Sequence, residues 1–274
     1  MWPAAEPKGW PIIDAADLVG YSTVTNNSGV TYENAQLKLM AGDLNLVREG
    51  DVRLSIVSFG TSEIRSRKGG RGFEEKAFAE YHLYTLGRRT TLANAQTKQI
   101  ELINVNDIPV EKRYLYRPAF GNRVGVMLQF KNSKETVEGL GIPLPKGPFR
   151  VYLRDVDAQS EFVGADAIDH TPKDEEVRIR IGYAFDLVVE RVQTSNRRKA
   201  GQHWNEQDWK ITLRNHKDQP VKIVVEEPLA GYRNWKILEK SHDYEKKDFR
   251  TLEFTADVPA NAQTVITYTV RYTW

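Results

Sequence analysis

Residues 139–182 read GLGIPLPKGPFRVYLRDVDAQSEFVGADAIDHTPKDEEVRIRIG, and this stretch decides the fold class. Gly139, Gly141, Pro143, Pro145, Gly147 and Pro148 exclude a helix, because glycine is entropically costly there and proline removes a donor and clashes with the preceding turn. The run then alternates. Phe149, Val151 and Leu153 point one way and Arg150, Tyr152 and Arg154 the other, which is the period of a strand. Residues 155–160 carry turn chemistry, and residues 161–163 read as the return strand. After Asp169, His170, Thr171 and Pro172 the alternation restarts, with Val177, Ile179 and Ile181 inward and Arg178 and Arg180 outward.

Toward the amino terminus, residues 1–16 read as a loose lead-in and residues 18–25 as a strand. Asn26, Asn27, Ser28 and Gly29 stop that strand, and residues 35–40 form the next. Residues 52–59 have strand character. Residues 65–72 (RSRKGGRG) carry no apolar side chain, so a solvated, mobile loop is expected within residues 48–72. No helix follows that run and no aromatic interrupts it, which argues against a phosphate cradle. Strands are expected again at residues 78–86, 97–105, 113–116 and 124–130.

Beyond Pro172, seven strand-like segments occupy about a hundred residues, the number and size of an immunoglobulin-like sandwich. They are residues 177–181, 185–192, 209–214, 221–226, 235–238, 251–255 and 263–274. In the last, Ile266, Tyr268, Val270, Tyr272 and Trp274 share one face. Strands end in asparagine at Thr25-Asn26, Lys131-Asn132 and Arg214-Asn215; these endings share turn physics and are not read as a repeat. The fold class expected is all-β. It consists of two consecutive antiparallel β-sandwich-like domains, residues 1–171 and 172–274, the second immunoglobulin-like. Less than about a tenth of the chain should be helical.

The chain has 274 residues, 40% hydrophobic and 28% charged, enough to bury a sizeable core. With 39 basic against 37 acidic residues the net charge is +2, so no global field favours nucleic acid. No apolar run reaches the roughly 20 residues of a membrane-spanning helix. Cysteine is absent, which excludes disulfides, thiol catalysis and cysteine-ligated metal. The first ten residues lack the basic-then-apolar pattern of a signal peptide.

Five blocks carry a resemblance: residues 24–45 (VTNNSGVTYENAQLKLMAGDLN), 73–92 (FEEKAFAEYHLYTLGRRTTL), 139–152 (GLGIPLPKGPFRVY), 168–186 (IDHTPKDEEVRIRIGYAFD) and 244–274 (YEKKDFRTLEFTADVPANAQTVITYTVRYTW). In this order they resemble a bacterial family whose C-terminal domain is one of unknown function, some of whose members are called mucoidy inhibitor A. The resemblance spans about residues 18–274. Members of that family carry a signal peptide and a further N-terminal region, so by the resemblance this chain corresponds to the C-terminal half. The resemblance implies an exported, cell-envelope protein, periplasmic or extracellular, and supplies no catalytic residue.

The strongest chemical constellation is Asp166, Asp169, His170, Asp174 and Glu175. Carboxylates with a histidine can ligate a cation or work as general acid and base. The same residues also suit a turn, where Asp and Thr side chains bond local amides. His82, His203, His216 and His242 are scattered, with no second histidine at metal-ligand spacing. No Gly-x-Ser-x-Gly elbow and no dinucleotide fingerprint is present. Residues 196–204 (NRRKAGQHW) are basic with Trp204 and Trp209 near, and read as a hairpin loop whose tryptophans join the core, since Trp209 shares the stripe of Ile211 and Leu213. The reading is therefore a non-catalytic binding or structural module, with no catalytic, cofactor or metal residues assigned. An envelope protein or polysaccharide is the expected partner. The alternative is a hydrolase acting on cell-envelope polymer through residues 166–175.

Overall fold

The computed structural model describes residues 12–41, 73–78, 81–154, 159–198, 201, 203–229 and 234–274. The loop expected within residues 48–72, the strand expected at residues 52–59 and most of the lead-in lie outside them. The protein is all-β and sandwich-like, with 72% of the described residues in strands and 1% in helix.

The amino-terminal strands are β1 (Ile12–Asn26), β2 (Tyr32–Ala35), β3 (Lys38–Ala41), β4 (Phe73–Phe78), β5 (Tyr81–Leu86) and β6 (Thr90–Leu92). Next come β7 (Gln96–Tyr116), a single 3-10 turn at Pro118–Phe120, β8 (Arg123–Lys131), β9 (Gly147–Arg154) and β10 (Ser160–Ile168). The remainder is β11 (Glu176–Arg197), β12 (Trp204–Asn215), β13 (Val221–Pro228), β14 (Asn234–Lys240), β15 (Tyr244–Asp248), β16 (Thr251–Val258) and β17 (Ala262–Thr273). One hydrogen-bonded path runs β14-β17-β12-β11-β8-β7-β13-β16-β15, with β1 added along β7; β9-β10, β2-β6 and β3-β5-β4 form small sheets.

Two strands, β7 and β11, each join segments expected to be separate, and β1 starts at Ile12, inside the expected lead-in. Residues 97–105 and 113–116, expected as separate strands, are one strand because β7 carries a bulge in its middle. The pairing with β1 slips between Ala16 and Leu18, where Asp107 takes a φ of 57° and its amide donates to Asp17 Oδ1 at 3.2 Å. Pro109 follows, ahead of the residues that pair with β8, so its missing N–H breaks no bond to that strand. Residues 177–181 and 185–192 likewise merge into β11. Its first half pairs with β8 and its second with β12, and the β8 pairing slips between Ala184 and Val188. β6 and β15 were not expected, and the strand expected at residues 35–40 is interrupted at residues 36 and 37. The strand ladder crosses the boundary expected near residues 171/172: β11 pairs back onto β8, and β13 pairs in parallel with the end of β7.

Among the described residues two apolar clusters form. The first joins Ile103, Val105 and Ile108 of β7, Phe130 of β8, Ile168 of β10 and Val177 and Ile179 of β11, and Leu140 and Leu144 of the Gly- and Pro-rich connection complete it. The hairpin β9-β10 lies over β11 so closely that a Cβ on Gly164 would overlap the Ile181 carbonyl oxygen, with Ile181 C and Cα 2.8 and 2.9 Å away. The second cluster is a sandwich core. Leu187 and Val189, Ile211 and Leu213, and Ile266, Tyr268, Val270 and Tyr272 pack against Ile223 and Val225 and Leu252, Phe254, Ala256 and Val258. The inward stripe of β17 is as expected through Tyr272, whereas Trp274 lies beyond the strand and is exposed.

The three asparagine strand ends form one repeated device, which corrects the expectation that they share turn physics without being a repeat. Asn26, Asn132 and Asn215 are all buried. Each donates its side-chain amide to a distant loop carbonyl: Asn26 to Ala93 at 3.0 Å, Asn132 to Pro172 at 3.1 Å and Asn215 to Pro259 at 3.0 Å. Two residues beyond each acceptor stands a left-handed residue, Ala95, Asp174 or Asn261, after which the partner strand begins. Asn26 and Asn215 match further, each also bonding the carbonyl four residues on and accepting the amide two residues on. The chain separations of 67, 40 and 44 residues hide the repeat from any fixed period.

Candidate functional site

The acidic and histidine residues singled out above do not converge. Asp166 is engaged by backbone amides, accepting from Ala167 at 2.9 Å and, across to β11, from Arg180 at 2.8 Å. Asp174 accepts from Ser133 Oγ at 2.8 Å and belongs to the Asn132 corner. His170 Nδ1 accepts from the Lys146 amide at 3.3 Å. A neutral ring then carries its hydrogen on Nε2, which is buried without a partner among the described residues. Only Asp169 and Glu175 share a surface, an open groove of about 540 Å³ lined also by Thr171, Glu176 and Arg178. In it Glu176 is tied to Arg178 at 2.6 Å. Among the described residues no group of three His, Cys, Asp or Glu side chains could hold a metal ion.

A different constellation is better formed, and sequence reading passed over it. Glu227, at the end of β13, is fully buried and accepts two hydrogen bonds from Arg191 Nε, at 3.0 and 2.8 Å. The Tyr268 hydroxyl donates to the same carboxylate at 2.7 Å. Arg191 stacks on Trp209, its Cζ 3.5 Å from the ring centroid. Burial, then the negative Glu227, pushes the Tyr268 hydroxyl far above its ordinary value, and the same two causes raise Tyr116. A signal for this cluster was available. Glu227 continues the inward stripe of Ile223 and Val225, and Arg191 that of Leu187 and Val189, so two opposite charges occupy core positions of an otherwise apolar alternation.

The cluster reaches the surface at an open groove of about 510 Å³, lined by Tyr116, Pro118, Gly121, Asn122, residues 188–190, Arg191 and Arg214. It lies where the 3-10 turn between β7 and β8 meets β11; Val189 donates its amide to the Asn122 carbonyl at 3.0 Å. Arg214 is ion-paired to Glu190 on its rim. Beside it Glu226 is held by Arg117 at 2.5 Å and by Lys247. Burial is the largest influence on Glu226 and raises its pKa, but the hydrogen bonds and charges of Arg117 and Lys247 together hold it below the ordinary carboxylate value.

The basic stretch at residues 196–204 is partly neutralised in place. Arg197 pairs with Glu206 at 3.3 Å and Asp208 at 2.6 Å, and Glu206 also binds Arg271. Trp209 packs against the sandwich core as expected. Trp204 does not join it; it is half-buried, with Arg271 Cζ 5.3 Å from its ring centroid. His82 lies in β5, half-buried, and Ser241 Oγ and His242 Nδ1 are 2.8 Å apart. No protein family, no curated protein and no solved structure matches the chain.

Proposed function

We propose that the chain is a non-catalytic binding module that takes a polar ligand at the Tyr116–Arg191 groove. By the resemblance of its five sequence blocks, it serves in an exported protein of the bacterial cell envelope. One observation carries the reading. Arg191 is fixed along one edge by Glu227 and on its face by Trp209 while still lining an open groove, so it is oriented before any ligand arrives. Tyr116, Asn122, Glu190 and Arg214 supply the mixed donors and acceptors that a sugar hydroxyl array or a polar protein loop requires. Catalysis is not favoured, because the ionisable side chains here are satisfied by one another: Glu227 by Arg191 and Tyr268, Glu190 by Arg214, Glu226 by Arg117 and Lys247. The carboxylates of residues 166–175 support the hydrolase alternative no better, given the local bonding of Asp166 and Asp174.

The test is a binding screen of the purified chain against cell-envelope oligosaccharides and fractionated envelope extract, with and without divalent metal. Asn122→Trp, placed on the groove rim, should abolish the strongest signal while leaving the melting temperature unchanged. Undiminished binding by that variant, or turnover of any glycan, would overturn the reading.

A further inference from the structure

Separate from the groove, β11 carries an aromatic and cationic surface. Between Ala184 and Val188 its pairing with β8 slips, and the bulge turns Phe185 out to 95% exposure. Ala184 packs against the sandwich core, so Tyr183 and Phe185, which flank it, both turn away from that core; Tyr183 is 36% exposed. It meets Phe120 edge to face at 5.5 Å. Arg123 stacks on Tyr183 with Cζ 4.0 Å from the ring centroid, and Arg180 lies 5.6 Å from both the Tyr183 and Phe120 rings. The surface extends toward the β9-β10 hairpin. That hairpin crosses β11 at Gly164 and Ile181, two residues from Phe162 and Tyr183 respectively, and carries Phe162 and Tyr152 at 57% and 55% exposure, edge to face at 5.6 Å.

The charges around this surface do not cancel. Neither Arg123 nor Arg180 has a carboxylate partner among the described residues. Asp186 is paired with Lys217 and Glu226 with Arg117 and Lys247, while Asp166 keeps its charge and bonds the Ala167 and Arg180 backbone amides, so the two arginines leave the surface net positive. Arg123 Nε donates to the Phe120 carbonyl at 3.3 Å and Arg180 Nη1 to the Tyr183 hydroxyl at 3.4 Å, which leaves the remaining N–H groups of each guanidinium to bond a carboxylate. A fully exposed phenylalanine beside it gains only by being covered with apolar atoms.

We propose that Phe185, Tyr183, Phe120, Arg123 and Arg180 form a docking surface for an acidic segment of a partner protein. That segment lays an apolar side chain on Phe185 and sets carboxylates against the two arginines. This fits a protein segment better than an anionic polysaccharide, since a leucine or phenylalanine side chain covers Phe185 with more apolar area than the C–H face of a sugar ring. Aromatic and arginine anchors of this kind carry most of the energy of protein interfaces.

The test uses fluorescence anisotropy with a labelled twelve-residue peptide of alternating aspartate and leucine or phenylalanine. Comparison probes are the same peptide with asparagine for aspartate, and an oligouronate of equal charge. The acidic peptide should bind, more weakly as salt rises. Phe185→Ser, and separately the pair Arg123→Gln and Arg180→Gln, should each weaken it by about tenfold or more, the effect of losing one good anchor. Melting temperatures should not fall, since these side chains are exposed. Arg214→Ala, on the groove rim, should bind the peptide as the unaltered protein does. The proposal is overturned by failure of the acidic peptide to bind or equal binding of the asparagine peptide. Oligouronate competition as strong as the peptide's own, undiminished binding by the Phe185 variant, or loss of binding in Arg214→Ala would overturn it equally.

Discussion

Arg191 and Glu227, 36 residues apart in the chain, meet as a hydrogen-bonded ion pair at the edge of the sandwich core, with Glu227 fully buried and the Tyr268 hydroxyl on the same carboxylate. Removing one member of such a pair strands the other charge away from water, which costs about 3–5 kcal/mol. Glu227→Ala should therefore lower stability to urea by that amount. Arg191→Met combined with Glu227→Leu should recover most of it, because replacing both partners by apolar groups of similar volume leaves no orphaned charge. A double variant no more stable than Glu227→Ala would show that the pair contributes more than compensation.

Tyr268 and Tyr116 provide a pH test from the same cluster. Both hydroxyls have folded pKa values raised above their unfolded values, so they favour the fold most fully below about pH 10 and lose that contribution as pH rises beyond it. Tyrosinate absorbance should accordingly rise in two stages, and the second should coincide with alkaline unfolding seen by circular dichroism. Titration of all 12 tyrosines in one step while the protein stays folded would contradict the burial of these two.

Acid acts on the other sign. Arg271 hydrogen bonding lowers Glu206, Arg197 hydrogen bonding lowers Asp208, and Glu226 is lowered on balance against its burial. Their contribution is complete above the unfolded carboxylate values and is lost as pH falls through the lower folded ones. Urea midpoints should be flat near neutrality and fall below about pH 4.5. Glu226→Gln should reduce that slope.

The asparagine corners should be equivalent in energy. Asn26→Ala, Asn132→Ala and Asn215→Ala each leave loop carbonyls without their donor, at about 1–3 kcal/mol apiece. The three have no shared partners, so a triple variant should show roughly additive losses in urea unfolding. Asp169→Ala is a contrast. A loss of the order of 1 kcal/mol is expected for it if its side chain caps the turn, but the Thr171 hydroxyl donates to the Asp169 main-chain carbonyl, and the side chain is exposed. A change within about 0.5 kcal/mol is the structural expectation, and Asp166→Ala should cost more.

Gly164 should not tolerate a methyl group. Gly164→Ala forces the β9-β10 hairpin off β11 and should cost about 1–3 kcal/mol, as other overpacked contacts do. Gly147→Ala, in the same hairpin with open space around it, should be close to neutral by thermal melt.

The sequence by itself determined the all-β class and most strand positions. Alternation at period two is a local property, and Gly, Pro and Asn stop strands through their own backbone preferences. Thus residues 124–130 and 221–226 could be read without knowing their neighbours, as could the inward stripe Ile266, Tyr268, Val270 and Tyr272. Only the tertiary structure decided what depends on pairing across long separations. Bulges at Asp107 and after Ala184 continue strands through residues that locally signal a break, because pairing supplies partners on both sides of the interruption. The likeness of Asn26, Asn132 and Asn215 needed their distant carbonyl partners, which unequal connections conceal. The site residues divided the same way. Asp166 to Glu175 cluster in the chain but turn to different backbone partners, since neighbouring turn residues point apart. Arg191, Glu227 and Tyr268 are far apart in the chain and come together because the one hydrogen-bonded path packs the inward stripes of β11, β12 and β17 against those of β13 and β16.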